Sequence, residues 1–256
     1  MNQEERTEPD SEVPLTEVIA GLRTVAVATL AAQLRAHGLT STVIDGVRPT
    51  RPGARFVGRA RTLRYVPLRE DLFADYGGGL NAQKRAIDSI LPGEVLVMDA
   101  RGEAGSGTIG DILALRAQVR GAAGIVTDGG VRDAATVATL DMPVFAQCAH
   151  PAVLGRKHVP WDTDVAVACG GATVLPGDII VGDDDGVVVI PPSIAARILA
   201  TSVEQERREA FITEQVRAGA SVDGLYPLSG AWLERYEAWA TDRAEAGTEQ
   251  DRETTS

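Results

Sequence analysis

The sequence is poor in the residues that build disulfide frameworks and histidine-rich metal centres. It has two cysteines and three histidines in 256 residues. The cysteines, Cys148 and Cys169, form no CxxC pair, so the pattern predicts reduced thiols. His37, His150 and His158 show no paired helical spacing, which argues against a histidine-rich zinc site and favours surface or locally hydrogen-bonded histidines.

Basic charge and long apolar runs are also scarce. The formal net charge is −11 and the sequence pI is about 4.8, a balance that repels phosphate backbones and anionic membrane surfaces. We therefore expect no nucleic-acid partner and no membrane partner. No apolar run approaches the roughly 20 residues of a membrane span. The polar, acidic N-terminus also lacks the features of a signal peptide, so we expect a cytoplasmic protein.

What the sequence does contain is an alternation of helix-like and strand-like segments between two polar ends. We expect disordered tails at residues 1–13 and 243–256, a main domain over 14–200 and a helical extension over 201–242. The mixture predicts an α/β fold. Periodicity predicts helices at 15–36, 81–90, 111–120, 193–217 and 231–243. It predicts strands at 41–44, 55–65, 94–99, 124–128 and 143–146, and a hairpin at 178–190.

Residues 105–110 spell Gly-Ser-Gly-Thr-Ile-Gly, the GxGxxG pattern of dinucleotide-binding turns. Asp128 follows near the place of a ribose-binding acid. Two features argue against that interpretation. The preceding strand ends near Asp99, so the connection is longer than a tight Rossmann turn. Asp111 would also put a carboxylate at the helix N-terminus, where a pyrophosphate needs bare N–H groups.

The same helix start suits a smaller anion. Gly110 and Asp111 open the predicted helix, and the backbone N–H groups of its first turn have no helical partner. A small carboxylate could dock on the amides of Ile112 and Leu113. Asp111 could cap the helix, hold a water, or do both. Spacing alone leaves the capping and the binding interpretations open.

An apolar strand runs into Asp128-Gly129-Gly130-Val131-Arg132-Asp133. Loops at the carboxyl ends of strands often carry active sites in α/β proteins. The guanidinium of Arg132 can grip a carboxylate or polarise a ketone oxygen. The carboxylate of Asp133 can hold Mg²⁺ or Mn²⁺ through one direct bond, with waters completing the octahedron. A purely structural Arg–Asp pair at a helix start is the alternative.

These motifs resemble, in order and spacing, the family of 4-hydroxy-4-methyl-2-oxoglutarate aldolase and the regulator of ribonuclease activity A. The resemblance covers roughly residues 20–200. It is carried by five pieces: Gly110-Asp111-Ile112-Leu113-Ala114, Gly121 with Gly124, Asp128-Gly129-x-Val131-Arg132-Asp133, Pro143-Val144-Phe145, and Pro176-Gly177-Asp178 followed by 185–191. The C-terminal part lies outside this family core, which indicates a longer subgroup.

The resemblance implies a swivelling β/β/α fold like that of phosphohistidine domains, in a single domain with extra N- and C-terminal helices. It implies a homotrimer or homohexamer with active sites between subunits. The activity implied is that of a class II, metal-dependent pyruvate aldolase acting on a small 2-oxo acid. Oxaloacetate decarboxylation is a natural companion, because the same enolate forms when the departing group is CO₂.

By motif, Asp133 would be the direct ligand of Mg²⁺ or Mn²⁺, and Arg132 would contact the keto oxygen. The backbone of Gly110, Asp111, Ile112 and Leu113 would bind the substrate carboxylate. Asp111 would also position a metal-bound water. Family enzymes take acidic residues from a neighbouring subunit, and no motif here assigns them, so the general base is left open. Candidates for distal substrate contacts, each with an ordinary structural role as the alternative, are Arg69, Asn81 and Arg116.

Three other functions would leave different signatures in the sequence. A Schiff-base aldolase needs an activated lysine, and neither Lys84 nor Lys157 sits in a strand-end motif. A phosphate-carrying domain would need a histidine in a glycine-rich loop, which the sequence lacks. A non-catalytic, protein-binding regulator of ribonuclease type needs no metal site. The presence of Arg132, Asp133 and the 110–113 turn favours the enzyme over the regulator.

Overall fold

The fold is described from a computed structural model that covers residues 13–254, with side chains as far as Arg243. The tail predicted over residues 1–13 lies outside the described residues except for Val13. The chain divides between Ala200 and Thr201 into two compact units, which are described separately.

The first unit is built on a mixed β-sheet and a small hairpin. Within the described residues the strands are β1 (Arg48–Pro49), β2 (Phe56–Pro67), β3 (Glu94–Asp99), β4 (Gly107–Ile109), β5 (Gly124–Val131), β6 (Val144–Ala149), β7 (His158–Thr163), β8 (Val167–Cys169), β9 (Ala172–Val174), β10 (Ile179–Asp183) and β11 (Gly186–Ile190). The main sheet has the order β1-β6-β5-β3-β2-β10-β11, with β4 beside β5 and β7 beside β2. The centre of the sheet, from β2 to β6, is parallel, and the outer pairings are antiparallel.

The two units also contain helices. Within the described residues they are α1 (Leu15–Leu22), α2 (Val27–Ala36), α3 (Glu70–Tyr76), α4 (Ala82–Asp88), α5 (Asp111–Val119), α6 (Ala134–Val137), α7 (Ala195–Arg217) and α8 (Ala231–Thr254). Two short 3₁₀ turns lie at Leu154–Arg156 and Pro192–Ile194. No helix in residues 13–254 combines the length and apolarity that a bilayer crossing requires.

The central strands are apolar because both of their faces are covered. Leu96 and Met98 on β3 point to a core shared with α4 and α5. Val95 and Val97 point to the opposite core, which contains the β8–β9 hairpin. This burial on both faces is typical of parallel strands. The sequence of layers is hairpin, sheet and helices, and the predicted α/β class with β/β/α layering is confirmed.

The prediction of one helix over 15–36 is wrong in one respect, because the helix is interrupted between α1 and α2. The side chain of Arg55 donates hydrogen bonds to the carbonyls of Leu22, Arg23 and Val25. Asp183 Oδ2 accepts the amide of Val27 at 2.9 Å, where α2 begins. The side chains of Arg55 and Asp183, which are distant in sequence, thus make hydrogen bonds with the backbone groups that the helix interruption leaves without partners. No local sequence pattern predicts these contacts.

Three further differences concern segment boundaries. Residues 41–44 form no named strand, and Val43 makes only an isolated bridge with Val188. Residues 107–109, predicted as loop, form β4. Helix α8 continues to Thr254 rather than ending at Arg243, so the tail predicted at 243–256 is helical over all of its described residues.

The second unit contains most of α7 together with α8. Its core consists of Phe211, Leu225 and Tyr236. The ring of Phe211 meets those of Tyr236 and Trp239 edge-on, at centroid distances of 5.7 and 5.5 Å. Arg243 lies over Trp239, with 4.4 Å from its guanidinium carbon to the ring centroid. Edge-on aromatic packing gives this small helical unit a core of its own.

Candidate functional site

The candidate site lies where β5 ends. Strand β5 reaches Val131, and Arg132 and Asp133 follow directly before α6. Strand β4 runs parallel beside β5 and leads straight into α5. The amide of Arg132 donates to the carbonyl of Ile109 at 2.8 Å. This pairing brings the N-terminus of α5 next to the Arg–Asp pair, although the two segments are separate in the sequence.

Two glycines of the 105–110 segment make room for that pair. A Cβ atom at Gly107 would stand 2.2 Å from Cγ of Arg132, and one at Gly110 would stand 2.9 Å from Oδ2 of Asp133. Both distances are shorter than van der Waals contact allows, so a larger residue would displace the side chain of Arg132 or Asp133. The glycine pattern that imitates a dinucleotide fingerprint therefore serves as a cradle for Arg132 and Asp133.

Asp133 is held in an uncommon backbone conformation. Its φ and ψ are 52° and 38°, in the left-handed region that non-glycine residues rarely adopt. Its carboxylate is exposed and makes no ion pair or side-chain cap with the rest of the described chain. Aspartate adopts this region more readily than most residues, as Asp164 also does at φ 56°, and the conformation leaves the Asp133 carboxylate available to a ligand.

Arg132 has an unsatisfied donor. Its Nε atom is buried and has no hydrogen-bond partner within the described residues. A buried donor without an acceptor costs free energy, on the order of 1–3 kcal/mol for a neutral group and more for a charged one. An acceptor supplied by a ligand would remove that cost. Arg132 and Asp133 therefore lie side by side at the end of β5, but within the described residues their side chains form no hydrogen bond or ion pair with one another.

The N-terminus of α5 is only partly open. Gly110 is the N-cap residue and has no side chain to cap the helix. Oδ1 of Asp111 accepts the amide of Ile112 at 2.8 Å. The amide of Leu113 is therefore open to an anion, whereas that of Ile112 becomes available only if Asp111 turns away. Asp111 does act on the first turn, but from inside the helix rather than from the N-cap position.

An open depression of about 400 Å³ adjoins the pair. It is lined by Val131, Arg132, Asp133, Ala134, Ala149, His150 and Pro151. A second, smaller depression of about 190 Å³ shares Val131, Ala134 and Ala149 with it. The ends of two strands, β5 and β6, thus form a largely apolar surface with a few charged or polar side chains, Arg132, Asp133 and His150, that is large enough for a small organic acid.

His150 is the residue of this surface that sequence reasoning missed. Its lack of partner histidines predicted an ordinary surface side chain, yet it lines the depression with Arg132 and Asp133. Its amide donates to the carbonyl of Val131 at 2.9 Å, which ties it to the end of β5. The available signal was its position directly after a strand, at the same edge as Arg132.

Asp128 has a structural task instead of a ribose-binding one. It is buried, and its carboxylate accepts the amides of Ala100, Gly102 and Gly170 at 2.6, 2.9 and 3.2 Å. Burial raises the pKa of Asp128, and these three amides oppose the shift. The carboxylate fastens the loop after β3 to the β8–β9 hairpin.

The three predicted distal contacts all have structural partners. Arg69 pairs with Asp71 at 2.7 Å, and Arg116 pairs with Asp88 at 2.7 Å. The side chain of Asn81 accepts the amide of Lys84 at 3.0 Å and so caps α4.

Both cysteines are free thiols, Cys169 buried and Cys148 half-buried.

The chain is similar to a known protein family and to solved structures. The RraA-like model (Aldolase/RraA) matches residues 27–189. A protein of Halalkalibacterium halodurans named "Putative 4-hydroxy-4-methyl-2-oxoglutarate aldolase" is 32% identical over 185 residues, which are 71% of this chain and 82% of that protein. A protein of the same name from Ectopseudomonas mendocina is 34% identical over 147 residues, 51% of this chain and 89% of that protein.

A solved structure supports the same relationship. Streptomyces coelicolor RraAS2, described as an unusual member of the RNase ES inhibitor RraA protein family, is 37% identical with a TM-score of 0.71. The alignment covers 78% of this chain and 98% of RraAS2. Because the RraA-like model matches residues 27–189 and the aldolase relative and RraAS2 are 32% and 37% identical, the chain belongs to the RraA-like family.

Proposed function

We propose that the protein is a divalent-metal-dependent carbon–carbon lyase that cleaves a 4-hydroxy-2-oxo acid into pyruvate and an oxo compound. One observation carries the proposal: an exposed, strained Asp133 carboxylate and an unsatisfied Arg132 donor meet at one depression beside a helix N-terminus. The names of the aldolase relatives support the same reaction class.

Asp133 fits a weakly held, hard cation. Among the described residues, no cluster of three or more His, Cys, Asp or Glu side chains could hold a metal ion. A closed zinc site needs such a cluster, whereas Mg²⁺ and Mn²⁺ are commonly held by one or two carboxylates, with water and substrate oxygens completing the shell. When bound, the ion would supply Lewis-acid stabilisation of the negative charge that develops on the substrate's 2-oxo group.

Arg132 would act on the ketone oxygen of the substrate. Cleavage of the C3–C4 bond leaves an electron pair that delocalises onto this oxygen. A guanidinium fixed beside it would stabilise that charge more in the transition state than in the ground state. The packing of the Arg132 stem against Gly107 holds the guanidinium in place before substrate arrives.

The start of α5 would receive the substrate carboxylate and one proton. The Leu113 amide and the positive end of the helix favour an anion there. Asp111, in the same first turn, would hold a water that accepts the proton of the C4 hydroxyl group, and the enolate left by cleavage takes up one proton at C3 to become pyruvate. If C4 is instead a carboxylate, the C3–C4 bond breaks with loss of CO₂ and no such proton transfer is needed, which would give oxaloacetate decarboxylase activity.

The outer face of α5 supports a homo-oligomeric enzyme. Ile112, Leu115 and Val119 are 77%, 47% and 68% exposed and recur at helical spacing. An apolar stripe of this kind marks an interaction surface. It begins one residue after Asp111, so a second copy that covers it would stand beside the site. We propose a homotrimer on this basis together with the family relationship, and light scattering coupled to size-exclusion chromatography tests it.

The test of the activity is pyruvate release in a coupled assay. A 4-hydroxy-2-oxo diacid and oxaloacetate are supplied in turn with Mg²⁺ or Mn²⁺, and then with a chelator. We expect pyruvate from both substrates with metal and a loss of turnover when the metal is removed. Absence of pyruvate with either metal would contradict the proposal.

The second candidate function is a protein-binding regulator of ribonuclease. The observation that favours it is the 37% identity to RraAS2, which is described within an RNase-inhibitor family. Such a regulator needs no ion at Asp133. Inhibition of a purified ribonuclease that survives Asp133→Asn, in a protein without lyase activity, would favour this alternative.

A further inference from the structure

Strand β5 is irregular on both sides just before it reaches Arg132. On the β6 side, Thr127 pairs with Ala146, and Gly130 pairs with Cys148. Two residues of β5 therefore lie opposite a single residue of β6. One extra residue of this kind is a β-bulge, which bends the strand, disrupts the regular ladder and often re-aims a side chain beside an active site.

A second bulge lies in β4, on the other side of β5. Gly107 and Ile109 of β4 pair with the consecutive residues Gly130 and Val131 of β5, so Thr108 is the extra residue. The two bulges thus meet at Gly130, directly before the segment that carries the Arg–Asp pair.

Two buried threonine hydroxyls bind the backbone where the bulges meet. Thr108 Oγ1 donates to the carbonyl of Gly130 at 3.0 Å, and Thr127 Oγ1 accepts the amide of Gly129 at 3.1 Å. The two hydroxyl oxygens lie 3.2 Å apart. Each hydroxyl has one proton. Because Thr108 gives its proton to Gly130, Thr127 must be the donor between the two hydroxyls, and the hydrogen bonds form one directed chain.

Close packing surrounds this chain of hydrogen bonds. A Cβ atom at Gly129 would stand 2.7 Å from the methyl carbon of Thr108 and 2.7 Å from Cβ of Ala100. The carbonyl of Thr108 accepts the side-chain amide of Gln83 at 2.6 Å. Thr108, Thr127 and Gln83 are 2%, 0% and 3% exposed. A hydrogen bond lost in so closed a place leaves a buried polar group without a partner, which is costly.

We propose that Thr108 and Thr127 are positioning residues, whose hydroxyls hold the bulged end of β5 in the shape that aims Arg132 and Asp133 at the depression. The inference rests on the proposed lyase function and adds two residues that act through the backbone. The connection is short, because the amide of Arg132 donates at 2.8 Å to the carbonyl of Ile109, the residue after Thr108.

The test replaces each threonine in two ways. Valine keeps the branched shape and removes the hydroxyl, whereas serine keeps the hydroxyl. Thr62→Val is the matched control, because Thr62 is also buried and its hydroxyl donates to the carbonyl of Val165 at 2.6 Å, in another part of the fold. Three quantities are measured for each protein: the urea midpoint, the dissociation constant for Mn²⁺ and kcat for pyruvate release.

The hydroxyl should decide the outcome. We expect Thr108→Val and Thr127→Val to lower kcat by about 10- to 100-fold and to weaken Mn²⁺ binding by about tenfold, as the loss of a group that supports a metal ligand does. The serine variants should stay within about threefold of the wild type in both quantities, because the hydrogen bond is kept. Thr62→Val should lower the urea midpoint as the other valine variants do, but leave kcat and Mn²⁺ affinity within about twofold.

Two results would overturn the inference and leave the lyase proposal intact. One is wild-type kcat and Mn²⁺ affinity in the valine variants. The other is an equal loss in Thr62→Val, which would show that stability alone is responsible. If one valine variant does not fold, the other valine variant decides.

The wild-type protein separates this inference from the lyase proposal. A wild type that releases no pyruvate with either metal contradicts the lyase proposal, and the Mn²⁺ titrations of the same variants then decide whether the hydroxyls position Asp133. A wild type that also fails to bind Mn²⁺ overturns both.

Discussion

Asp128 and Asp133 belong to the same strand-end segment and have opposite surroundings. Asp128 is buried and accepts three backbone amides from two other segments. Asp133 is exposed, has a left-handed backbone conformation and is given no side-chain partner by the described residues. The carboxylate of Asp128 is occupied by hydrogen bonds within the fold, whereas the carboxylate of Asp133 is available to a ligand.

This contrast shows how function can be separated from structure within one motif. A buried carboxylate that accepts several N–H groups stabilises the loops that supply them. A carboxylate that is held in a strained backbone conformation without a partner adds no stability to the fold. A bound ligand would offset the free-energy cost of that conformation. The same holds for Arg132, whose buried Nε has no acceptor in the described part of the chain.

The largest expected effect is on catalysis by Asp133→Asn. Asparagine tolerates the left-handed conformation but removes the charge that would hold the metal ion. We expect metal-dependent pyruvate release to fall by at least about 100-fold, with the melting temperature within about 2 °C of the wild type. Turnover near the wild-type rate would show that Asp133 is not the metal ligand.

The second effect tests the glycine cradle. Gly107→Ala places a methyl group 2.2 Å from the present position of Arg132 Cγ, so the Arg132 side chain must shift. We expect kcat/KM to fall by roughly 10- to 100-fold, as displacement of a catalytic group does. Gly78→Ala is the matched control, because nothing lies within 4 Å of a Cβ there. Equal activity in both variants would mean that Arg132 needs no such positioning.

The third effect is on stability and belongs to Asp128→Asn. The amide group of asparagine turns a donor toward backbone N–H groups, so at least one buried amide loses its acceptor. We expect the free energy of unfolding to fall by about 1–3 kcal/mol, measured by urea denaturation. Unchanged stability would contradict the structural task of Asp128.

The fourth effect concerns acid sensitivity near the loop that Asp128 fastens. His158 is buried, and desolvation lowers its pKa to about 4 from the ordinary 6.5. The unfolded chain therefore binds a proton that the folded protein refuses, and stability is lost as pH falls from 6.5 toward 4. We expect urea midpoints to decline across this window, and less steeply in His158→Gln. Equal declines in the wild type and in His158→Gln would exclude His158 as a source of the acid sensitivity.

Much of the site could be predicted because its residues are local. The pairing of Arg132 with Asp133 and the helix start at Asp111 are visible in short motifs, and strand β3 has its predicted bounds. The cradle could not be predicted, because the contact of Gly107 with Arg132 joins segments that only the sheet brings together. For the same reason, neither the contacts of Arg55 between α1 and α2 nor the position of His150 could be predicted.

The most direct test of the contrast between the two aspartates is Mn²⁺ binding, followed by the electron paramagnetic resonance signal of the free ion. Wild-type protein, Asp133→Asn and Asp128→Asn are titrated under conditions where all three remain folded. We expect the wild type and Asp128→Asn to bind Mn²⁺ with similar dissociation constants, and Asp133→Asn to lose at least about tenfold in affinity. Equal binding by Asp133→Asn would place the ion elsewhere and contradict the proposed lyase site.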